Sequence, residues 1–397
     1  MPHRRNRWIY SKARKKLELS PVFILQGARQ TGKSFLAREE IAAKFKNSYY
    51  VTLDINDQKV NAQNSPGTFL EEHKENRPFI IDEAQKAPQL FDEIKAIVDI
   101  KKTPGQFVLL GSTEFSHLTN IRESLTGRIS RGTLFPLTVG ETLSLDFSGF
   151  RFDKLSTLKP RCNRLDVLQY LRKGGMPGIF TIRDKLQFKD SIKDWIALTC
   201  ERDIYQLHKL KLDPTLTYQI LEAIALVEEP TISEISKTLK VSNLKVTDHI
   251  KGLKGLFVIN EILPYSAGIG KPRYYLIDSA FADFFGAKKE RILQTWIYNE
   301  ILSTLACDIN SKYSLFYYRS AKGKSLPVIL EETLAKNGLK SLPIGIDIIT
   351  EEIFSNKELD TLLAFKKRTN GEILAIGPFS SKMMSRGVRL MPFEMVV

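Results

Sequence analysis

The chain has 397 residues, a formal net charge of +14 and an apolar content of 43%, which leaves room for several domains and excludes a single small module. This apolar content is ordinary for a chain that buries cores, so wholesale disorder is also excluded. No stretch approaches the ~18 consecutive apolar residues that span a bilayer, and no signal-type apolar segment precedes Pro21. We therefore expect a cytoplasmic protein without a membrane partner. The cysteines Cys162, Cys200 and Cys307 are far apart and form no CxxC pair, which indicates neither a disulfide framework nor a zinc site.

The positive charge is compatible with a nucleic-acid partner, because clustered Lys and Arg side chains displace counterions from a polyanion. The densest basic run lies before Glu18 and consists of Arg4, Arg5, Arg7, Lys12, Arg14, Lys15 and Lys16. Such a run is typical either of a nucleic-acid contact or of a solvated helix end or frayed arm. We treat residues 1–20 as a basic N-terminal segment.

Short apolar runs alternate with amphipathic stretches over residues 21–150. In chain order they are VFILQG, SFLAREEIAAKF, YYVTLDI, FIIDEA, LFDEIKAIVD and FVLLGS. Alternation of strands and helices predicts an α/β fold with a parallel sheet, and continuous apolar runs are typical of strands buried on both faces. Residues 151–229 are predicted to be mostly helical, with a glycine-rich turn, GGMPG, at 174–178.

A different pattern begins at Pro230. TISEISKTLKV and NLKVTDHIKGLKG are short helical stretches, and the apolar segments FVINEILPY and RYYLID follow them. Two helices followed by a hairpin predict a winged helix-turn-helix over residues 230–286. Residues 287–397 predict a small α+β domain that begins with the helix QTWIYNEILSTLA.

A phosphate-binding motif follows the first predicted strand. The segment matches GxxxxGK[ST] and consists of Gly27, Ala28, Arg29, Gln30, Thr31, Gly32, Lys33 and Ser34. Its glycines let the backbone N–H groups face phosphate oxygens, Lys33 supplies positive charge, and the Ser34 hydroxyl can bind Mg²⁺. A chance glycine turn is the alternative, but the flanking strand and helix favour ATP and Mg²⁺ as ligands.

Two acids end the strand FIIDE. In a P-loop enzyme, Asp82 would hold Mg²⁺ through water, and Glu83 would orient the water that attacks the γ-phosphate. A solvated strand end is the alternative for two such acids on their own. Because both are present after a P-loop, the sequence predicts hydrolysis rather than nucleotide binding alone.

Further polar residues follow the next predicted strand. Ser112 and Thr113 would lie at the ligand-binding edge of the sheet, although a simple turn explains them nearly as well. Arg128 ends the segment ESLTGR, where it is either an arginine finger for a neighbouring subunit or a surface cation.

These motifs together resemble prokaryotic AAA+ ATPases that carry GPRQxGK[ST], IIDExQ, LTGS and ESLAGR. In this chain they stand as GARQTGKS at 27–34, IIDEAQ at 80–85, LLGS at 109–112 and ESLTGR at 123–128. GGMPG, the ERDI of 201–204 and RYYLIDSAFADFF extend the resemblance over most of the chain. It implies a P-loop AAA+ sheet at 21–150, followed by helical, winged-helix and nuclease-like domains. It also implies that Ser112 is a sensor and Arg128 an arginine finger, although Thr113 replaces the Asn or Gln that often follows the serine.

The same resemblance implies a terminal domain similar to PD-(D/E)xK nucleases. Glu300 and LFYYR at 315–319 match that pattern, but SLPV at 325–328 and GID at 345–347 replace its metal-binding carboxylates. Two-metal cleavage needs closely set carboxylates, so we expect a nuclease-like domain without nuclease activity.

The predicted function is a Mg²⁺-dependent ATPase that works as a homo-oligomer, with DNA as the expected partner. The alternative is an ATP-dependent switch that recruits a protein partner. The polar residues of the predicted recognition helix, and the lysines beside it, are Asn243, Lys245, Thr247, Asp248, Lys251, Lys237, Lys240 and Lys254. Winged helices in such proteins also serve as lids or subunit contacts. Other candidate DNA contacts are Lys366, Lys367, Arg368, Lys382, Arg386 and Arg389.

Overall fold

The first apolar run forms the central region of a parallel sheet. In the computed structural model, which describes residues 5–115, 127–206, 212–333 and 341–397, this strand is β1 (Val22–Gln26), and it is buried throughout. The sheet also contains β2 (Tyr49–Thr52), β3 (Phe79–Asp82), β4 (Phe107–Gly111) and β5 (Ile129–Thr133). The strand order is β2-β3-β4-β1-β5, and all pairs are parallel. The predicted fold class, a parallel α/β sheet followed by helical and α+β regions, is confirmed.

Helices precede and connect the strands of this sheet. They are α1 (Ile9–Leu17), α2 (Lys33–Phe35), α3 (Asn56–Asn64), α4 (Pro66–Glu71) and α5 (Leu90–Ile100). In α5, the buried residues Leu90, Phe91, Ile94 and Val98 recur every three or four positions, as an amphipathic helix requires. The helix that starts with α2 continues as a π-helical segment over Leu36–Ile41.

The basic N-terminal segment includes α1, which is packed rather than frayed. Ile9, Ala13 and Leu17 recur every fourth residue and are buried. The basic residues of its last turn instead face solvent or are partly buried, which places positive charge at the negative end of the helix dipole. Residues 1–4 of the predicted basic run lie outside the described residues.

The second half of the chain is rich in helices. They are α6 (Val139–Thr142), α7 (Arg164–Lys173), α8 (Lys185–Glu201), α9 (Pro214–Leu226), α10 (Ile232–Leu239), α11 (Asn243–Gly255), α12 (Ser279–Phe284), α13 (Lys289–Cys307) and α14 (Asp360–Thr369). Several begin at a side-chain cap; Asn163 and Asp166 form a reciprocal capping box at α7, and Asp213 caps α9.

A mixed sheet accompanies these helices. Its strands are β6 (Ile259–Pro264), β7 (Arg273–Leu276), β8 (Tyr313–Arg319), β9 (Ser325–Glu332), β10 (Ile344–Ile348), β11 (Glu372–Gly377), β12 (Met383–Ser385) and β13 (Val388–Pro392). The order is β12-β13-β11-β10-β9-β8-β6-β7. The predicted hairpin is the antiparallel pair β6–β7, and a short parallel ladder pairs Leu263 of β6 with Phe316 of β8. The hairpin and the terminal strands therefore form one sheet.

The GGMPG turn is held by a buried aspartate. Asp278 caps α12 through the N–H of Ala280, and its second oxygen accepts a 2.8 Å hydrogen bond from Gly175 N. A Cβ on Gly174, whose φ is +65°, would lie 1.9 Å from Asp278 Oδ1, so glycine is required there. Burial raises the pKa of Asp278 to about 6.

The chain divides into two units. The first contains Met1–Phe135 with Gly255–Val258, and the second contains Pro136–Lys254 with Ile259–Val397. The finer boundaries predicted from the sequence stay predictions. Among the residues that the structure describes, no helix is long and apolar enough to cross a bilayer.

Candidate functional site

The P-loop connects β1 to α2 through a turn that depends on glycine. Gly32 has a φ of +95° directly before α2. A Cβ on Gly27 would lie 2.2 Å from the carbonyl oxygen of Leu134, so any larger residue would clash with backbone. Because the turn opens at a helix N-terminus, its N–H groups are available to an anion.

Lys33 is buried inside this loop. Its Nζ donates to the carbonyl oxygens of Gly27 at 2.9 Å and Ala28 at 2.8 Å. Thr31 Oγ1 also donates to Ala28 O at 2.9 Å. Ser34, the next residue of the motif, is exposed, whereas Ala28 is buried and Arg29 is partly buried. The ammonium group is thus held within the loop that would surround a phosphate.

Asp82, at the end of β3, is 3% exposed, and both of its carboxylate oxygens accept hydrogen bonds. Tyr50 of β2 donates its phenol O–H to Oδ2 at 2.6 Å, and Glu83 N donates to Oδ1 at 2.9 Å. Burial and the hydrogen bond to Asp82 raise the pKa of Tyr50 well above 10, while a hydrogen bond with Ser34 opposes this rise. Tyr50 is thus the side-chain hydrogen-bond partner of Asp82 Oδ2.

Glu83 lies directly after β3 in the left-handed region, with a φ of +55°. Its Oε2 accepts hydrogen bonds from Ser112 Oγ at 3.0 Å and from Gln85 Nε2. Gln85 Nε2 also lies 3.2 Å from Ser112 Oγ. Glu83, Gln85 and Ser112 thus form a cluster, which we call the glutamate cluster, at the carboxyl ends of β3 and β4.

Thr113 is buried next to this cluster, and Gln26 of β1 donates to its carbonyl oxygen at 2.7 Å. This bond fixes the backbone that carries Ser112. The structure therefore brings the predicted residues Ser34, Asp82, Glu83 and Ser112 to the edge of the sheet where the P-loop lies. Tyr50 and Gln85 are not among the predicted site residues, although Gln85 belongs to the IIDEAQ motif.

Arg128 lies at the other end of the sheet. Ile129 pairs with Val22, the first residue of β1, whereas the P-loop follows the last residue, Gln26. At ~3.3 Å per residue, the length of β1 is more than 10 Å. Arg128 Nε forms an ion pair with Asp99 of α5. The structure therefore does not bring Arg128 to the P-loop of its own chain, and residues 123–126 of ESLTGR lie outside the described residues.

Arg7 contacts the P-loop from the N-terminal segment. This buried guanidinium donates to Thr31 O at 2.6 Å and to Phe135 O at 2.7 Å. The predicted basic run therefore includes a residue that supports the phosphate-binding loop. This role could not be predicted from the sequence, because an arginine that becomes buried cannot be told from its solvated neighbours in a basic run.

The second unit contains the predicted DNA-binding helix, α11. Its exposed positions include Asn243, Lys245 and Lys251, and Leu244 is 70% exposed. Lys251 lies 3.6 Å from Asp248, and Lys254 forms a 2.5 Å ion pair with Glu261 of β6. These acids reduce the positive charge available to a polyanion.

The C-terminal basic residues also have neighbours within the second unit. Arg386 forms a 2.7 Å ion pair with Asp360, and Arg389 lies 3.5 Å from Glu372. Lys382 donates to the carbonyl oxygens of Ser156 and Leu158. Lys366, Lys367 and Arg368 are exposed in the last turn of α14.

The nuclease-like motif residues are distributed over α13, β8, β9 and β10. Glu300 of α13 is 1% exposed and accepts a 3.3 Å hydrogen bond from Val139 N, and burial raises its pKa to about 8. Burial also raises the pKa of Asp347 on β10 to about 7. Within the described parts of the chain, no group of three His, Cys, Asp or Glu side chains is arranged to hold a metal.

Two family models match parts of the chain. Residues 19–143 match the family model of an AAA domain, and residues 164–290 match a domain of unknown function (DUF8612). The chain carries an AAA-type P-loop domain. An uncharacterized protein of Mycobacterium tuberculosis is 25% identical over 85% of this chain and 72% of its own length. An uncharacterized protein of Methanocaldococcus jannaschii is 22% identical over 72% of this chain and 67% of its own length.

Solved structures give weaker similarity. The Walker-type ATPase of Pyrococcus abyssi is 17% identical, with a TM-score of 0.43 over 70% of this chain and 94% of that chain. The DNA clamp loader delta protein of Bacillus subtilis is 16% identical, with a TM-score of 0.25 over 62% of this chain and 87% of that chain.

Proposed function

We propose that this protein is a Mg²⁺-dependent ATPase of the AAA+ type that works as a homo-oligomer on DNA. The observation that carries the proposal is the arrangement of Lys33, Ser34, Asp82 and Glu83 at one edge of the parallel sheet. Each residue type matches one need of phosphoryl transfer, and an AAA domain match over 19–143 supports the same chemistry.

The residues of this edge have separate tasks. The N–H groups of 27–34 and the Lys33 ammonium hold the phosphates of ATP, and transfer of Lys33 from the carbonyls of Gly27 and Ala28 to a phosphate keeps it hydrogen-bonded. Glu83 accepts a proton from the attacking water and orients it. Ser112 touches Glu83 and lies where it can sense the γ-phosphate.

The donor set fits magnesium. Ser34 and Asp82 offer oxygen atoms alone, which Mg²⁺ prefers; Ser34 would bind the ion directly, and Asp82 would hold it through water. Bound Mg²⁺ would neutralise charge that develops on the phosphates during transfer.

Arg128 supports the oligomer. In the proposed assembly it completes the site of a neighbouring subunit, because its own P-loop lies at the opposite end of β1. An arginine in this role is worth about 10³-fold or more in turnover.

DNA is the proposed partner because of the net charge of +14 and the exposed polar face of α11. In this proposal the helix pair α10–α11 and the hairpin β6–β7 are a winged helix, and the terminal domain is nuclease-like without nuclease activity. The alternative is an ATP-dependent switch that recruits a protein partner, and the acids Asp248 and Glu261 beside the lysines of α11 favour it.

Nucleotide binding and steady-state hydrolysis test the proposal. We expect Lys33→Ala to weaken ATP binding, and Glu83→Gln to bind ATP normally while hydrolysing it at least about 100-fold more slowly. An active Glu83→Gln enzyme would contradict the role of Glu83.

Stimulation of hydrolysis by single-stranded or branched DNA supports the DNA-dependent ATPase, whereas slow turnover with every nucleic acid favours the switch. Cutting of DNA with Mg²⁺ or Mn²⁺ would contradict the inactive terminal domain.

A further inference from the structure

Tyr50 hydrogen-bonds to Asp82, one of the two residues proposed to hold magnesium. Its hydroxyl oxygen is 2.6 Å from Asp82 Oδ2, and it also interacts with the Ser34 hydroxyl. Tyr50 belongs to the edge strand β2, whose residue Thr52 pairs with Asp82, so the sheet register places the phenol beside the end of β3.

The phenol gives the buried Asp82 carboxylate a partner in the nucleotide-free protein. A buried carboxylate without hydrogen bonds is costly, and here Tyr50 O–H and Glu83 N satisfy one oxygen each. A metal held by Ser34 and linked to Asp82 through water would bring a water O–H to the same carboxylate. The phenol oxygen, 2.6 Å from Oδ2, occupies one hydrogen-bonding position of this carboxylate, so a water on the metal would compete with it for Asp82.

We propose that the Tyr50 hydroxyl closes the magnesium site until the metal–nucleotide complex displaces it from Asp82. This inference rests on the proposed function, because it concerns the same site. Tyr50 is then a regulating residue that competes with the metal's water, and not a residue that positions Asp82 for the metal.

Removal of the Tyr50 hydroxyl has opposite effects on metal affinity in the two roles, competition with the metal's water and positioning of Asp82. If Tyr50 competes with the metal's water, Tyr50→Phe leaves Asp82 Oδ2 without a hydrogen-bond donor in the nucleotide-free protein. The nucleotide-free protein then loses stability, and the metal binds more tightly. In a positioning role, the same change misorients Asp82 and weakens metal binding.

The test measures binding of the fluorescent nucleotide mant-ATP to the full chain. We expect Tyr50→Phe to bind mant-ATP in EDTA as tightly as the wild-type protein does. The Mg²⁺ concentration at half-saturation should be about fivefold or more lower in the variant than in the wild type. Its melting temperature in EDTA should also fall. The matched control is Tyr49→Phe, since Tyr49 lies on the same strand but stacks on His73, with ring centroids 4.1 Å apart.

An unchanged or higher Mg²⁺ requirement in Tyr50→Phe, with mant-ATP binding in EDTA intact, overturns the inference and leaves the proposed function standing. If the wild-type protein binds no mant-ATP, with or without Mg²⁺, both the inference and the proposed function are contradicted.

If Tyr50→Phe does not fold, 3-fluorotyrosine placed at position 50 keeps the hydroxyl. Its ¹⁹F resonance should move when Mg²⁺ is added to protein already saturated with ATP in EDTA, and a resonance that Mg²⁺ leaves in place contradicts displacement of the phenol.

Discussion

The position of Glu83 depends on two neighbours rather than on its own backbone alone. Glu83 has a positive φ, and its carboxylate accepts hydrogen bonds from Ser112 and Gln85. Gln85 is 9% exposed, so its amide works in a site with little water, where hydrogen bonds to a charged group are strong. The glutamate cluster therefore holds the carboxylate that we propose as the general base.

Replacing Gln85 by Ala should lower kcat of ATP hydrolysis about tenfold, because a misplaced base loses alignment with water. KM for ATP should stay within about twofold, because the Gln85 amide is hydrogen-bonded to Glu83 and Ser112 and is not proposed to bind the nucleotide. The control is Gln89→Ala, an exposed residue that precedes α5. Equal kcat values in the two variants would show that Gln85 does not hold Glu83.

At the scale of elements, α1 and its preceding residues are part of the nucleotide-binding unit. Arg7 donates to the P-loop at Thr31 and to the chain after β5 at Phe135. Arg7 therefore links segments that are far apart in the sequence. The buried apolar face of α1 holds the helix that follows Arg7 in place.

Arg7→Ala should destabilise the protein by about 2–4 kcal/mol, because it removes charge-assisted bonds to buried carbonyl groups. ATP binding should weaken as well. Urea unfolding and mant-ATP titration measure the two effects. Arg14→Ala, which removes a surface ion pair with Glu18, should cost no more than about 1 kcal/mol. A similar loss in both variants would mean that Arg7 acts only through the charge of the segment.

The buried carboxyl of Glu300 makes α13 sensitive to pH. Its pKa is about 8 when folded, above the ordinary 4.5, so the folded protein holds a proton that the unfolded chain has released. Stability from this group is complete below about pH 4.5 and is lost as the pH rises to about 8.

The free energy of unfolding should therefore fall less between pH 5 and pH 9 in Glu300→Gln than in the wild-type protein. Urea unfolding at both pH values should show a fall of a few kcal/mol in the unchanged protein that is smaller in the variant, since the amide cannot ionise. The variant Glu290→Gln, on the same helix but exposed, is the control. A fall of the same size in Glu300→Gln would contradict a protonated Glu300.

At the scale of the whole molecule, the sheet register separates Arg128 from the P-loop of its own chain. Val22 pairs with Ile129 at one end of β1, and the P-loop begins beyond Gln26 at the other. A role for Arg128 in hydrolysis therefore requires a second subunit. To reach that subunit's P-loop, Arg128 would break its ion pair with Asp99.

Mixing two inactive variants tests this requirement. Arg128→Ala has an intact P-loop, and Lys33→Ala has an intact Arg128, so a mixed oligomer should regain measurable ATP hydrolysis if the arginine acts in trans. The control mixture of Lys33→Ala with Glu83→Gln should stay inactive, because both variants are defective in their own sites. Absence of recovery in the first mixture, with subunit exchange verified by co-purification of an untagged variant with an affinity-tagged one, would contradict the arginine finger.

Much of the first unit could be predicted from the sequence. Continuous apolar runs identified β1, β3 and β4, because strands buried on both faces have no polar side. The P-loop segment was recognisable because glycine and lysine requirements act within a few residues. The hairpin β6–β7 was predicted in the same way, but its pairing with β8 was not, since one strand pair does not determine its neighbour.

The parallel α/β fold class and the P-loop segment could be recognised in the sequence, because they depend on local hydrophobic pattern and local backbone conformation. The hydrogen bond of Tyr50 to Asp82, the contacts of Gln85 and Ser112 with Glu83, and the burial of Arg7 against the P-loop arise only when the chain has folded. These contacts join residues on different strands and helices. Their partners are set by sheet order and register, which no short stretch of sequence contains.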